Sequence, residues 1–545
     1  MDDSATNYKI LPRTPGGGNL RQLSFEYSAP KPISERRKNL ASKGITDDRL
    51  NGRVYTPMPT AVAMLERLPW PDGEKTILDP SCGDGVFLEA AIRKLAVSAR
   101  TKAQLEAGIK RIYGWDIDPK AVDASRERVE RVCAELGVTN VVPIVRHCDA
   151  LEKTDEKFDI IAGNPPYLEA KRMPTSLKKR IKSNFPVAAK GSFDLYAAFV
   201  ELSARLLNPG GTLSFLLPNR ILVTKSGSNL RHWLLEQGSV RIADLSDSGI
   251  FGKTAAVYPV VFEFHLSDEH HYSVQDLGAR DGMELPSSVV IERLDCIMPA
   301  PPAHKSSAPL LERVLTSADN KRLDELFQVR WCVSFHKTGV RDGYIFPEFP
   351  KNAVNPRRFL GGGRFHGNRE VEPFRISWAG HWIDYDVERS RREHNILPPM
   401  SIFTGRKAVI CQNARRGRAA LDENGFILKD TFICVLPRPG ITNNPGRLEW
   451  LVILLNSDFF HYMYEQLYGG TRKSGRFLQF LGNYLKPFPI AVPRHFSQVI
   501  RLHTALVANP KDQSTRNQAE EFIRRTYGVT TDEAALLDQY EYPAF

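Results

Sequence analysis

The sequence predicts an α/β domain built on a mostly parallel sheet, followed by a second domain of mixed α+β character. Three observations predict it. Strand-like and helix-like segments alternate from about residue 52 to 267, the pattern that βα units leave in a sequence. A stretch rich in Pro, Ala and Ser around 297–309 reads as a linker, and beyond it the composition shifts to Arg, Gly, Asn and aromatics. The 545 residues also exceed one domain of roughly 100–200 residues.

Taken in order, residues 1–50 read as a flexible basic arm, with a GGG at 16–18 and no sustained period. KTILDP (75–80) is a short buried strand, and GVFLEAAIRKLAVSA (85–99) a helix. RIYGWDIDP (111–119) is the next strand, KAVDASRERVERVCAEL (120–136) the next helix, and VVPIVRHCDA (141–150) a third strand. FDIIAG (158–163) is a fourth. DLYAAFVELSARLLNPGG (194–211) is a helix stopped by Asn-Pro-Gly-Gly, with the strand TLSFLLP after it and a late strand within 252–265. The expected organisation is an arm over 1–50, a first domain over 51–296, a linker over 297–309, a second domain over 310–490 and a polar helical tail over 491–545. A long helical stretch, 448–468, falls near the end of the second domain.

Composition narrows the class. No run of about 18 apolar residues exists, so no membrane span is expected, and the amino terminus lacks the order of a secretory signal. Seven scattered cysteines without a Cys-x-x-Cys pair argue against a disulfide framework or a zinc site, and for a reducing cytoplasm. Residues 1–300 hold 40 Lys+Arg against 38 Asp+Glu, whereas residues 301–490 hold 28 against 18. A basic face on any protein explains a small excess. Concentration of nearly all of it in one segment looks like a footprint for phosphates.

LDPSCGDGVFLEAA (78–91) joins a strand, a Gly-containing turn and a helix start. A plain strand–helix turn would look similar. Gly83 and Gly85 let backbone approach a ligand closely, but Asp79 and Asp84 flank the turn and would repel a pyrophosphate. They suit a cationic nucleoside bearing an amino acid, such as S-adenosylmethionine. Asp116, ending the next strand, is placed to accept from ribose hydroxyls, while Asp118 before Pro119 is better read as a helix cap. Asp149 ends the third strand and can accept from an adenine amino group. Three carboxylates at three successive strand ends point to one nucleoside pocket. The fourth strand runs into Asn164-Pro165-Pro166-Tyr167. Asn-Pro is ordinary turn punctuation, yet this turn fixes an amide and an aromatic ring at the tip of a buried strand.

LDPSCGDGVFL, GWDIDP, RHCDA and GNPPY, in this order, resemble the amino-methylating DNA methyltransferases. GRVYTPMPTAVAML (52–65) is similar to the segment that covers the cofactor's methionine in the γ class, which places its catalytic half first and its target-recognition domain second. The resemblance covers roughly residues 50–490. It implies a Rossmann-like domain with a mixed seven-stranded sheet flanked by helices, then an α+β target-recognition domain. S-adenosyl-L-methionine is the implied cofactor, contacted by Tyr55, Thr56, Asp79, Ser81, Cys82, Gly83, Asp116, Ile117, Asp149, Ala150, Asn164, Pro166 and Phe199. Asp116 stands where close relatives often carry Glu.

The implied reaction methylates the N6 amino group of an adenine flipped out of duplex DNA, with Asn164, Pro165, Pro166, Tyr167 and Phe251 as the catalytic set. The Asn164 side-chain oxygen and the Pro165 carbonyl accept from the amino hydrogens, and Tyr167 and Phe251 stack on the extruded base. In the basic domain, Arg415, Arg416 and Arg418 beside Gln412 and Asn413, and Arg472, Lys473 and Arg476 in a Gly-rich loop, are the expected DNA contacts; for each of them a solvated basic loop is the plainer alternative. No metal is expected, the acidic letters of PDGEK (71–75) being too compressed for a two-carboxylate site, and His270 and His271 read as solvated. The partner is double-stranded DNA, in a monomer whose lobes enclose a basic cleft, with a cognate endonuclease encoded nearby as a functional partner. Methylation of an RNA guanine N2, of a protein glutamine N5, or of DNA cytosine N4 uses similar motifs. The first two usually lack so large a basic domain, and the third more often carries Ser or Asp at the position of Asn164. A non-catalytic specificity subunit would have no use for this pocket.

Overall fold

A computed structural model describes residues 56–72, 74–152, 154–244, 259–276, 282–299, 308–334, 343–361, 370–393, 395, 397–438, 440, 445–468 and 477–543. Its largest sheet has nine strands: β1 Ile77–Asp79, β2 Ile112–Asp116, β3 Ile144–His147, β4 Phe158–Gly163, β5 Leu207–Pro218, β6 Gly238–Asp244, β7 Pro259–Leu266, β8 His271–Asp276 and β9 Met283–Pro286. Their order is β3-β2-β1-β4-β5-β7-β6-β8-β9. Seven strands were expected. The two additional ones extend the sheet past β6, with β8 parallel to β6 and β9 antiparallel to β8. Their short alternating segments carry little apolar signal, and only pairing reveals them.

The strand order places the site. β1 is central and parallel to both β2 and β4, with Ile77 opposite Ile112 on one side and Ile160 on the other. The chain winds outward through β2 and β3, then returns to β4 on the far side of β1. Direction reverses between β1 and β4, and in such sheets the carboxyl ends of the strands diverge there and leave a crevice. All of β1 is buried, as are Ile160 and Ile161 of β4. Phe158 fixes the β2 side of the core by edge-on contacts with Tyr113 and Trp115, centroids 5.2 and 5.6 Å apart.

The helices are α1 Met58–Glu66, α2 Val86–Ser98, α3 Lys102–Ile109, α4 Pro119–Glu135, α5 Thr175–Asn184, α6 Leu195–Leu206 and α7 Ser228–Gln237. Asp118 caps α4 by accepting from the Lys120 N–H, with Pro119 in the first turn, as its sequence position predicts. Gly85 begins α2 at φ +83°, and a Cβ there would lie 2.6 Å from Ser125 Oγ. A glycine is required on both counts.

The chain divides into two compact units. One comprises 1–217, 248–253 and 261–268; the other comprises 218–247, 254–260 and 269–545. These are divisions by compactness, whereas the domain boundaries expected from the sequence are divisions by role. In the second unit Phe327–Arg330, Phe432–Pro437, Lys407–Cys411 and Ala419–Asp422 form, in that order, an antiparallel sheet. The helical stretch expected over 448–468 is two helices, Arg447–Leu455 and Asp458–Tyr468. Asn456 breaks it, because its side chain bonds both backbone groups of Ala419, and Ser457 Oγ accepts from the Phe460 N–H of the second helix. Three further helices, Phe496–Ala508, Gln513–Thr526 and Thr531–Gln539, make up the tail. Among the described residues no helix is long and apolar enough to cross a membrane, and no group of His, Cys, Asp and Glu is placed to hold a metal ion.

Candidate active site

Asp79 ends β1 with 2% of its surface exposed. Burial, with smaller contributions from Asp116 and Asp84, raises its pKa to about 8, and the Ser81 N–H bond at 3.0 Å opposes the rise. A carboxyl so placed gains from a cation arriving beside it. Gly163, at the end of β4, comes against this carboxyl: a Cβ at 163 would meet Asp79 Oδ1 at 2.5 Å. The glycine before Asn164 therefore brings the backbone of the NPPY turn onto the buried acid.

Asp116 ends β2. Its Oδ2 accepts from the Gly83 N–H and its Oδ1 from the Asp118 N–H, both at 2.9 Å, which fixes the carboxylate while each oxygen keeps a further lone pair. At Gly83, φ is +54° and an added Cβ would meet no described residue within 4 Å. Ser81 Oγ is buried without a hydrogen-bond partner among the described residues. Ile117 is 63% exposed, and its carbonyl lies 3.0 Å from His147 Nε2.

Two acidic residues have partners that their sequence neighbourhood did not show. Asp84 pairs with Arg128 at 2.6 Å, so it is neutralised rather than turned toward a cationic ligand. Asp149 accepts from the Leu151 N–H and pairs with Arg180 of α5 at 2.5 Å. Cys82 turns its sulfur into the core against Gly114, leaving its backbone as the part that can face a ligand. Ala150 and Phe199 are buried, and Pro166 is half-buried.

At the NPPY turn, Asn164 Nδ2 donates to Thr56 Oγ1 at 3.0 Å, and Tyr167 Oη donates to Asn164 Oδ1 at 2.7 Å. Pro165 is buried. Tyr167 packs edge-on against Tyr196 of α6, centroids 6.0 Å apart, and burial pushes its hydroxyl pKa far up, so it stays a neutral donor. Sequence reasoning missed Tyr196 and Arg180. Tyr196 lies three residues before Phe199, one turn away on the same helical face, and that spacing could have found it.

The basic candidates separate. Arg415 is exposed and Arg418 half-buried. Arg416 is buried, ion-paired with Asp458 and placed over the Tyr542 ring at 5.3 Å; burial lowers its pKa to about 10. This corrects the expectation for Arg416: a phosphate would have to displace its carboxylate. It borders a cavity of about 910 Å³ in the second unit, between the tail helices, that contains none of the strand-end carboxylates. Tyr55, Phe251, Arg472, Lys473 and Arg476 lie outside the described residues.

Two family models match the chain: the Eco57I restriction-modification methylase over residues 135–251, and the TaqI-like C-terminal specificity domain over 365–490. The second decides between a lone methylase fold and a methylase joined to a recognition domain. The chain is similar, in both of its matched segments, to type II restriction–modification methyltransferases. Among relatives, it is 27% identical over 434 residues to the type II methyltransferase M.TthHB8I of Thermus thermophilus, covering 76% of this chain and 86% of that one. It is 30% identical over 236 residues to M.BstVI of Geobacillus stearothermophilus, a match covering 39% of this chain. That match spans 42% of M.BstVI, less than half its length. Of solved structures, the type IIL restriction–modification enzyme MmeI in complex with DNA is similar at TM-score 0.49 and 14% identity, over 89% of this chain and 74% of that one. The type IIG restriction endonuclease BpuSI is similar at 0.43 and 14%, over 90% and 67%.

S-adenosyl-L-methionine is the cofactor expected from the similarity to these methyltransferases, and the residues present fit it. Asp79 offers a buried acid to an ammonium, Asp116 an oriented acceptor pair to a ribose, and Ser81 a hydroxyl with no hydrogen-bond partner among the described residues.

Proposed function

We propose that this protein is a site-specific DNA methyltransferase that methylates the N6 amino group of adenine, as the modification enzyme of a restriction–modification system. The observation that carries the reading is the Asn164 carboxamide, held from both ends at the tip of β4, directly after the Gly163 that abuts the buried Asp79. Residues 51–296 form the catalytic part and residues 310–490 the part that reads the duplex. The latter overlaps the segment that matches the specificity domain and carries the excess of positive charge.

S-adenosyl-L-methionine, when bound, supplies an electrophilic methyl group. Asp79, Asp116 and the turn at 81–83 hold it, with Asp149 at its adenine end. The amino nitrogen of adenine is a weak nucleophile, since its lone pair is delocalised into the ring. Asn164 Oδ1 and the Pro165 carbonyl accept its two hydrogens and favour a more tetrahedral, electron-rich nitrogen. The two prolines fix these acceptors, so little reorganisation accompanies reaction. No base is required before attack, because the amino group is already neutral and its proton leaves afterwards. A base within a duplex cannot enter such a pocket, so it is flipped out and stacked by Tyr167 and Phe251. DNA is the macromolecular partner, and its binding weakens with salt as phosphates exchange counterions for arginine and lysine.

Asn164→Ala tests the reading. Transfer of labelled methyl to DNA should fall roughly 10²–10³-fold, as for loss of one preorganised hydrogen-bonding group, while calorimetry finds cofactor binding retained. Turnover close to wild type would remove Asn164 from the mechanism.

A further inference from the structure

We propose that Thr56 is a positioning residue, whose hydroxyl sets the Asn164 carboxamide so that its oxygen faces the amino group to be methylated. The inference rests on the methyl-transfer reading and departs from it in one respect: the resemblance gives Thr56 to the cofactor.

The two ends of a carboxamide are nearly alike in size. Hydrogen-bond partners therefore decide which end faces the reacting group. Thr56 Oγ1 accepts from Asn164 Nδ2 at 3.0 Å, across 108 residues of sequence, and this directs Oδ1 away from the threonine. At that other end the Tyr167 hydroxyl donates to Oδ1 at 2.7 Å, and the same hydroxyl lies 2.9 Å from the Leu216 carbonyl oxygen. One O–H proton serves one acceptor at a time. When a target amino hydrogen takes Oδ1, Tyr167 has Leu216 ready as its acceptor, and the Thr56 bond need not change. Tyr167 thus fills the place of the substrate's hydrogen, and Thr56 holds the amide through the exchange.

The support under Thr56 suits this role. It precedes Pro57, which restricts its backbone to extended conformations. The Pro57 carbonyl in turn accepts from the Thr60 and Ala61 N–H groups at the start of α1. The hydroxyl is therefore carried at the entry of a helix with Thr60, Ala61, Met64 and Leu65 buried, not on a free loop.

The test compares Thr56→Val, which keeps the shape and loses the hydroxyl, with Thr56→Ser, which keeps the hydroxyl, both in the full chain. Under saturating cofactor and DNA, Thr56→Val should lower kcat roughly tenfold to hundredfold, the effect of a misoriented reacting group. Its cofactor Kd should stay within about threefold, because the interaction acts on the transition state. Thr56→Ser should restore most of kcat. A Thr56→Val enzyme with weakened cofactor binding and unchanged kcat would overturn the proposal and return Thr56 to the cofactor. A second readout needs no turnover. With isotope-labelled asparagine, the Asn164 side-chain amide signal, assigned by its loss in Asn164→Asp, should report faster proton exchange in Thr56→Val and recovery in Thr56→Ser. Unchanged exchange in Thr56→Val overturns the proposal. Failure of the wild-type chain to methylate DNA would count against the functional reading alone, since this amide signal is read without substrate.

Discussion

Replacing Asp79 with Asn separates the stability of the fold from its chemistry. The carboxyl titrates near 3.8 when exposed and is raised to about 8 by burial in the folded protein. The folded protein then holds this proton more tightly than the unfolded chain. Stability from this group is complete below about pH 4, falls as pH rises toward 8, and levels above it. At roughly 1.4 kcal/mol per pH unit the full span is about 5–6 kcal/mol, and relaxation around a charged group brings the expected loss to about 2–4 kcal/mol. Asn keeps the oxygen that accepts from the Ser81 N–H and has no proton to lose. Urea denaturation from pH 5 to 8.5 should show wild type losing stability relative to Asp79→Asn, with the variant ahead by about 2–4 kcal/mol at the upper end. The same variant should bind S-adenosyl-L-methionine poorly. Wild-type binding near pH 7 should release a proton, detected by calorimetry in buffers of different ionisation enthalpy. Stability curves that run parallel across this pH range would refute the reasoning.

Gly163→Ala places a methyl 2.5 Å from Asp79 Oδ1. Overpacking of this kind costs roughly 1–3 kcal/mol, so both the melting temperature and cofactor affinity should drop. Gly83→Ala meets no atom of the described residues but keeps φ +54°, and should cost about 1–2 kcal/mol from left-handed backbone. Arg416→Ala should lower stability by roughly 1–2 kcal/mol, from lost packing over the Tyr542 ring and a lost bond to the partly exposed Asp458, and should leave the salt dependence of DNA binding unchanged. Arg415→Ala should do the reverse, reducing the slope of log K against log salt by about one.

Much of the first unit was legible because its signals are local. Alternating strands and helices, the Asp118-Pro119 cap, and acids at successive strand ends all depend on residues close in sequence. The residues that complete the site come from elsewhere. Thr56 reaches Asn164 across 108 residues, and Arg180 reaches Asp149 from α5, so no spacing rule brings either pair together. Arg416 misled because a run of arginines looks solvated, whereas Asp458 and the Tyr542 ring offset its burial. Likewise Asn456 sits inside an apolar run of helical period and ends the helix through bonds to Ala419. Local propensity does not record a partner so far away in sequence.

The most direct measurement identifies the methylated base. The full chain is incubated with unmodified genomic DNA and isotope-labelled S-adenosyl-L-methionine, and the DNA is digested to nucleosides for mass spectrometry. The account predicts label in N6-methyladenosine's deoxy form, confined to one recurring sequence, and none there with Asn164→Ala. Label in N4-methylcytosine, or in RNA or protein while DNA stays unlabelled, would contradict it.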